Sequence, residues 1–303
     1  MCPEKMHADQ LDIDEPLVRR LLAGQFPHWA DLSIVRVKSA GTENAIYRLG
    51  DDLAIRLPYR FVNTTQVDKD HRWLPFLSPQ LPLPIPVPVA KGAPAEGYPS
   101  QWSVCRWLPG ENATLDCLTD LSQAAKDLAK FIHALQQIDS VDGPVPGEHN
   151  FFRGIPLADR DGYTRAAIAE SAGLVDSDAV TAAWERDLQA PVWRGPPVWI
   201  HGDLASGNLL ALSGRISGVI DWGGLAVGDP ATELLPAWNL FQRESRGAFR
   251  AAIDVDDATW ARGRGLALSV ALVALPYYLE TNPVIAHWAR YMIDEVLEDH
   301  ERS

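Results

Sequence analysis

Three oxygen-bearing side chains stand close together in the second half of this 303-residue chain. WIHGDLASGNLLAL (199–212) carries Asp203 and Asn208, separated by a turn of small residues, Ala205-Ser206-Gly207. GVIDWGG (218–224) then carries Asp221. Apolar residues flank both stretches, and the distance from Asn208 to Asp221 is that of a tight hairpin. Such a hairpin would bring all three side chains to one edge. Asp221 and Asn208 suit a hard cation such as Mg2+, which takes oxygen ligands and keeps waters and substrate phosphates in its shell. Asp203 is then left to accept a proton from a substrate hydroxyl.

The elements that must position these residues follow from periodicity. EPLVRRLLAGQ (15–25) reads as an amphipathic helix with Leu17, Leu21 and Leu22 on one side. Residues 33–58 then alternate, rich in Val, Ile and Tyr, and predict three short antiparallel strands with turns at Ala40–Glu43 and Gly50–Asp52. A helix restarts over 64–77, with Thr64 as its expected N-cap. Seven prolines in 79–99 exclude a helix and a central strand and predict a rigid, extended connection. QWSVCRWLPG (101–110) is an apolar strand ending at Pro109-Gly110. Helices are expected over 118–138, 178–189, 230–243, 257–280 and 283–299, and Asp229 before Pro230 reads as a helix cap. The expectation is an α+β chain of two domains. Residues 1–108 form a small N-terminal lobe with a nucleotide-binding antiparallel sheet. Residues 109–303 form a larger, mainly helical C-terminal lobe with the catalytic loop and the acceptor site.

His201 to Asn208 keeps, residue for residue, the spacing of the protein-kinase catalytic loop H-R-D-L-x-x-x-N, and Asp221-Trp222-Gly223 stands where a kinase has D-F-G. With AGTENAIYRL (40–49), AIRLP (54–58), RWLPG (106–110) and VIDWGGLAVGDPATEL (219–234), the sequence resembles the aminoglycoside phosphotransferases and their relatives, macrolide kinases included. The resemblance runs from about Gly41 to Glu295. It implies a bilobal protein-kinase-like fold, ATP or GTP as phosphoryl donor, Mg2+, and transfer to a hydroxyl of a small molecule. Carried over by position, it makes Asp203 the group that orients or deprotonates the acceptor hydroxyl, and Asn208 and Asp221 the metal ligands. The loop Ser39–Asn44, with Gly41 and Thr42, would cover the phosphates. Backbone groups of Cys105 and Trp107 would meet the purine edge. His201 would brace the loop rather than act as a base, and Glu233, where the family more often has Asp, would brace it too. The sequence departs from the kinase pattern twice. Arg56 stands for the strand lysine that grips phosphate, and Asp70 for its helix glutamate. Arg is not interchangeable with Lys at such a site. Lys38 is the competitor for the phosphate contact.

Composition bounds the partners. The formal net charge is −13, which disfavours nucleic acid and would attract a cationic substrate. Glu233, Glu244, Glu280 and Asp294 are candidate receivers for a polyamine such as an aminoglycoside, the first acceptor class to test. Trp238, Trp260, Tyr277, Tyr278 and Trp288 could line an apolar cleft for a macrolide, although each also reads as ordinary core. Another antibiotic or a metabolite alcohol completes the alternatives, and a non-catalytic nucleotide-binding protein of the same fold is a third reading. Cys2, Cys105 and Cys117 match neither a disulfide framework nor a zinc pattern. The N-terminus lacks an apolar run, and the longest apolar window, 265–279, contains Pro276 and is too short to span a bilayer. A soluble, cytoplasmic protein with no membrane partner is expected.

Overall fold

Alternating burial along residues 44–58 builds the first sheet. In the computed structural model, which describes residues 10–37, 41, 43–60 and 64–302, strands β1 (Ile34–Arg36), β2 (Asn44–Leu49) and β3 (Leu53–Pro58) form an antiparallel meander. Every second residue of β2 points into the core: Ala45, Tyr47 and Leu49 are buried. Strands β4 (Pro88–Gly92) and β5 (Trp102–Arg106) complete a five-stranded sheet among the described residues, in the order β1-β2-β3-β5-β4. The proline-rich stretch is therefore in part a strand, but an edge one. It is irregular between Pro88 and Ala90, where a missing N–H costs least.

Helix α1 (Glu15–Gln25), capped by Asp14, lays Leu17, Val18, Leu21 and Leu22 into the core formed with Tyr47, Ile55 and Trp102. Each such side chain contributes about 1.5–3 kcal/mol by leaving water. Helix α2 (Thr64–Leu77) packs beside β4. It already includes Thr64, so the residue preceding it lies outside the described residues. These elements belong to one compact unit, Met1–Pro79 with Pro84–Pro109.

The second unit, Gln80–Leu83 with Gly110–Ser303, is mainly helical. Its helices are α3 (Leu121–Gln137), α4 (Asp161–Glu170), α5 (Ser177–Leu188), α6 (Pro236–Asn239), α7 (Arg243–Ile253), α8 (Asp257–Tyr278) and α9 (Pro283–Glu301). Asp120, Asp176, Asp256 and Asn282 cap α3, α5, α8 and α9 through their side chains. Helix α8 buries residues on every side from Thr259 to Leu275, as a central helix must, and packs against α4, α5 and α9. The short strands β6 (Glu111–Asn112), β8 (Leu209–Leu212) and β9 (Arg215–Val219) form one small sheet, and β7 (Val198–Ile200) with β10 (Ala226–Gly228) another.

One expected helix is different. Residues 230–243 form a 3-10 turn, Pro230–Leu234, then the single turn α6; a separate helix, α7, begins at Arg243. Pro236 has no N–H to continue a helix through the turn, and Gln242 is extended (φ −91°, ψ 172°). Periodicity does not single out helices α4 and α7. Among the described residues, no helix is long and apolar enough to cross a membrane.

Candidate active site

The β8–β9 hairpin sets the site. Leu209 pairs with Val219, and the Ile220 N–H donates to the Asn208 carbonyl at 2.8 Å, so Asn208 and the residue before Asp221 are tied where the hairpin opens. Asp221 itself is left-handed (φ 61°, ψ 71°), a conformation that Asp tolerates better than bulkier residues. Asn208 closes the loop from the other side: its Nδ2 donates to the Asp203 backbone oxygen at 2.8 Å and to Asp203 Oδ2 at 2.9 Å. The Asp203 side chain is 42% exposed, so an acceptor can reach it.

The loop is anchored from below by buried polar groups. Gly202 (φ +83°) donates its N–H to Glu233 Oε1 at 2.9 Å, and Ser206 N–H donates to Asn239 Oδ1 at 2.6 Å. A Cβ at Gly202 would lie 2.4 Å from the Gly224 carbonyl oxygen, so only glycine fits this close approach in this conformation. His201 is fully buried. Its Nε2 faces the Ile220 carbonyl at 3.0 Å and must carry the proton, while Nδ1 accepts the Asp203 N–H at 3.2 Å. Both ring nitrogens thus hold backbone, and Trp222 packs edge-on against the ring at 4.7 Å. That is a bracing arrangement.

Glu233 is wholly buried, and burial pushes its carboxyl up to about 7 against the opposing pull of the Gly202 and His201 backbone N–H groups. The turn that carries Glu233 is fixed in turn. Asp229 caps it through Ala231 N–H and takes a two-point ion pair from Arg262 of α8 at 2.7 and 3.2 Å. Gly263 lets α8 approach this turn, since a Cβ there would meet Leu234 and the Ala231 carbonyl within 2.9 Å.

Two residues that sequence reasoning missed complete the loop. Asn239, a buried side chain, holds Ser206. Arg153 brings Nη2 to 3.8 Å from Asp203 Oδ1, with only 13% of its side chain exposed; burial lowers its pKa and Asp203 opposes that shift. It stands in a loop where Phe151 and Phe152 are both left-handed (φ 56° and 55°), at a cost of roughly 1–3 kcal/mol each. Buried Asn150 holds that loop, donating to the Arg153 and Gly224 carbonyls.

The remaining expected residues separate. Trp238 is fully buried, stacked near Trp260 at 4.8 Å, and both indole N–H groups point to Asp299. Trp238 is core here, and Glu233 is a loop brace rather than a surface receiver of ammonium groups. Glu244 is exposed in the first turn of α7, and Tyr278 is half-buried against Tyr277 at the end of α8. Trp288 of α9 is the aromatic that reaches the loop: a Cβ on Gly207 would lie 3.0 Å from its ring.

In the other unit, Arg56 on β3 pairs with Asp70 on α2, Nη1 to Oδ2 at 3.2 Å, with both side chains largely buried; Gln66 Nε2 donates to Asp70 Oδ1 at 2.5 Å. Beside them, burial drives the Lys69 ammonium down to about 8, opposed by Asp70. The Cys105 thiol is buried in β5 and pushed up to about 11. Trp107 N–H already donates to the Asp52 carbonyl at 2.8 Å, which leaves the carbonyl of Trp107 as its group for a ligand. Gly41 is exposed. Lys38, Ser39 and Thr42 lie outside the described residues.

The donor set fits a hard cation. Asn208 spends its Nδ2 on Asp203 and keeps Oδ1 as an acceptor, and Asp221 supplies a carboxylate. Among the described residues, no three or more His, Cys, Asp or Glu side chains gather into a cage. A cation held by Asn208 and Asp221 would fill its shell with water and phosphate oxygens, as Mg2+ does.

The chain is similar to known phosphotransferases in sequence and in fold. The model of the phosphotransferase enzyme family matches residues 34–266. The GDP complex of wild-type aminoglycoside 2'-phosphotransferase-IIIa superposes with a TM-score of 0.74 at 18% identity, covering 95% of this chain and 100% of that one. The GDP and kanamycin complex of APH(2")-IIia gives 0.73 at 20%, covering 94% and 99%. A macrolide 2'-phosphotransferase from Brachybacterium faecium gives 0.61 at 21%, covering 93% and 98%. No curated protein matches the sequence. The fold is the α+β, protein-kinase-like fold of these enzymes.

Proposed function

This chain belongs to the phosphotransferase enzyme family and is a small-molecule kinase, and on that premise we propose that it moves the γ-phosphate of ATP or GTP to a substrate hydroxyl with Asp203 as the proton acceptor. The observation that carries this reading is the Asp203 carboxylate, reachable by an acceptor yet held by Asn208, on the hairpin that also delivers Asp221. Asp203 accepts the proton as the hydroxyl oxygen bonds to the γ-phosphorus, and the bond from that phosphorus to the leaving nucleoside diphosphate breaks. The protein's share is positioning and charge balance, since phosphoryl transfer needs little covalent help. Mg2+, held by Asn208 and Asp221, would supply neutralisation of the phosphate charge. Arg56, fixed by Asp70, is the proposed phosphate contact of the first unit, and the Trp107 carbonyl just past β5 is the proposed backbone contact to the purine, because Cys105 lies inside β5 opposite Ala54 and Pro88.

The donor reading is supported by the GDP and ADP complexes of structural neighbours. For the acceptor, the kanamycin complex supports an aminoglycoside-type alcohol as the first choice. A second reading, a macrolide, is favoured by Trp288 against Gly207 and by the Brachybacterium faecium relative. The test is a phosphoryl-transfer assay against aminoglycosides, macrolides, tuberactinomycins and metabolite alcohols, with ATP and GTP side by side and product mass as readout. One panel alcohol should gain a phosphate, and Asp203→Ala should abolish transfer while nucleotide binding stays within a few-fold. Near-normal turnover of that variant would remove Asp203 from the mechanism.

A further inference from the structure

Arginine is common in the interior of the second unit, and most of it is fully used. Arg262 pairs with Asp229 at two points and also donates to Thr259 Oγ1 and the Pro191 carbonyl. Arg264 pairs with Asp187 and Asp299. Arg153 differs. Its acidic partner among the described residues is Asp203 alone, and its Nη1 is buried with no hydrogen-bond partner there. A second cation, Arg160, lies close enough for the two to repel, and burial with that repulsion lowers Arg160 to about 10. A buried guanidinium with an unmet donor and a like-charged neighbour is a poor way to stabilise a fold. The chain nevertheless bends through two left-handed phenylalanines, clamped by Asn150, to put it there. What the placement achieves is local. Asn208 Nδ2 holds Asp203 Oδ2 at 2.9 Å, and Arg153 Nη2 faces Oδ1 at 3.8 Å, so the carboxylate is held from two sides and its rotation is opposed.

We propose that Arg153 is a positioning residue for this enzyme, acting through Asp203 by fixing the carboxylate in the orientation that receives the hydroxyl proton. The inference rests on the reading of Asp203 given above. It assigns Arg153 an effect on turnover rather than on nucleotide affinity, and an effect that needs the Asp203 charge.

The test is a double-mutant cycle on hydrolysis of magnesium-ATP and magnesium-GTP, with water as acceptor, and on transfer to any panel alcohol that is phosphorylated. Arg153→Met should lower kcat about 100-fold, the size of effect expected of a misplaced catalytic group, with the nucleotide KM within about threefold. Arg153→Lys should recover part of the rate. In an Asp203→Asn background, Arg153→Met should cost no more than about twofold further. If Arg153→Met melts below the assay temperature, Arg153→Lys takes its place in the cycle, and its loss must likewise vanish in that background. A kcat within twofold of wild type, or losses that multiply in the double variant, overturns the assignment and leaves the kinase reading intact. Wild-type protein that neither hydrolyses nucleotide nor phosphorylates any alcohol overturns both.

Discussion

Glu233 carries the clearest pH signature at the scale of single residues. Its carboxyl is raised from 4.5 to about 7 by burial. Between those values the folded protein holds a proton that the unfolded chain has released. The stability this adds is full below the unfolded pKa of 4.5, falls as pH rises, and is gone above about 7. The shift corresponds to about 3 kcal/mol at most. Glu233→Gln keeps an oxygen for the Gly202 N–H and cannot titrate. The thermal midpoint of wild type should therefore drop relative to that variant as pH goes from about 4.5 to 7. A constant gap across that range would show that Glu233 does not titrate there. A second residue-level expectation concerns Arg56. Its ion pair with Asp70 holds the guanidinium in a fixed place, so Arg56→Ala should raise the nucleotide KM about tenfold or more, as loss of a charge-assisted contact does. An effect confined to the acceptor KM would sink the phosphate role.

At the scale of elements, the loop 201–208 and the turn after β9 act as one piece because their backbones touch. Gly202 lies against Gly224, with a Cβ on the first only 2.4 Å from the carbonyl oxygen of the second. Gly202→Ala adds both that clash and a left-handed alanine, and should cost about 2–4 kcal/mol in urea unfolding, with loss of transfer. A change below about 0.5 kcal/mol would mean that the two segments part easily. This piece was the most legible part of the sequence. His201, Asp203, Asn208 and Asp221 follow from spacing within one hairpin, where local order fixes geometry. Arg153 and Asn239 were not legible: each reaches the loop from more than thirty positions away, and a lone Arg or Asn carries no periodic signal. Between the two readings open for Trp238, cleft or core, sequence could not choose for the same reason, since its neighbours Trp260 and Asp299 belong to other helices. Prolines explain two further differences. They allowed an edge strand within 79–99 and broke the helix expected over 230–243.

At the scale of the whole chain, a formal net charge of −13 coexists with a buried network of paired charges that ties the helices of the second unit. Asp187 of α5 is completely buried and takes Arg264 of α8 at 2.9 Å and His300 of α9 at 3.0 Å. Asp299 of α9 takes Arg264 at 3.1 Å and both indole N–H groups of Trp238 and Trp260. Arg246 of α7 reaches Glu295 and Asp299. Removing one partner from such a network strands a charge in a low dielectric, so Asp187→Ala should cost about 3–5 kcal/mol. The exposed pair Arg250–Asp257 is the control: Asp257→Ala there should cost about 1 kcal/mol or less. Replacing both members, Asp187→Leu with Arg264→Met, leaves no stranded charge between them. The double variant should then be at least 1 kcal/mol more stable than the sum of the single losses predicts. Urea unfolding of six proteins, namely wild type, Asp187→Ala, Asp257→Ala, Asp187→Leu, Arg264→Met and the double variant, measures all of these differences. If Asp187→Ala costs no more than Asp257→Ala, the buried network does not hold α5, α8 and α9 together, and apolar packing along α8 alone does.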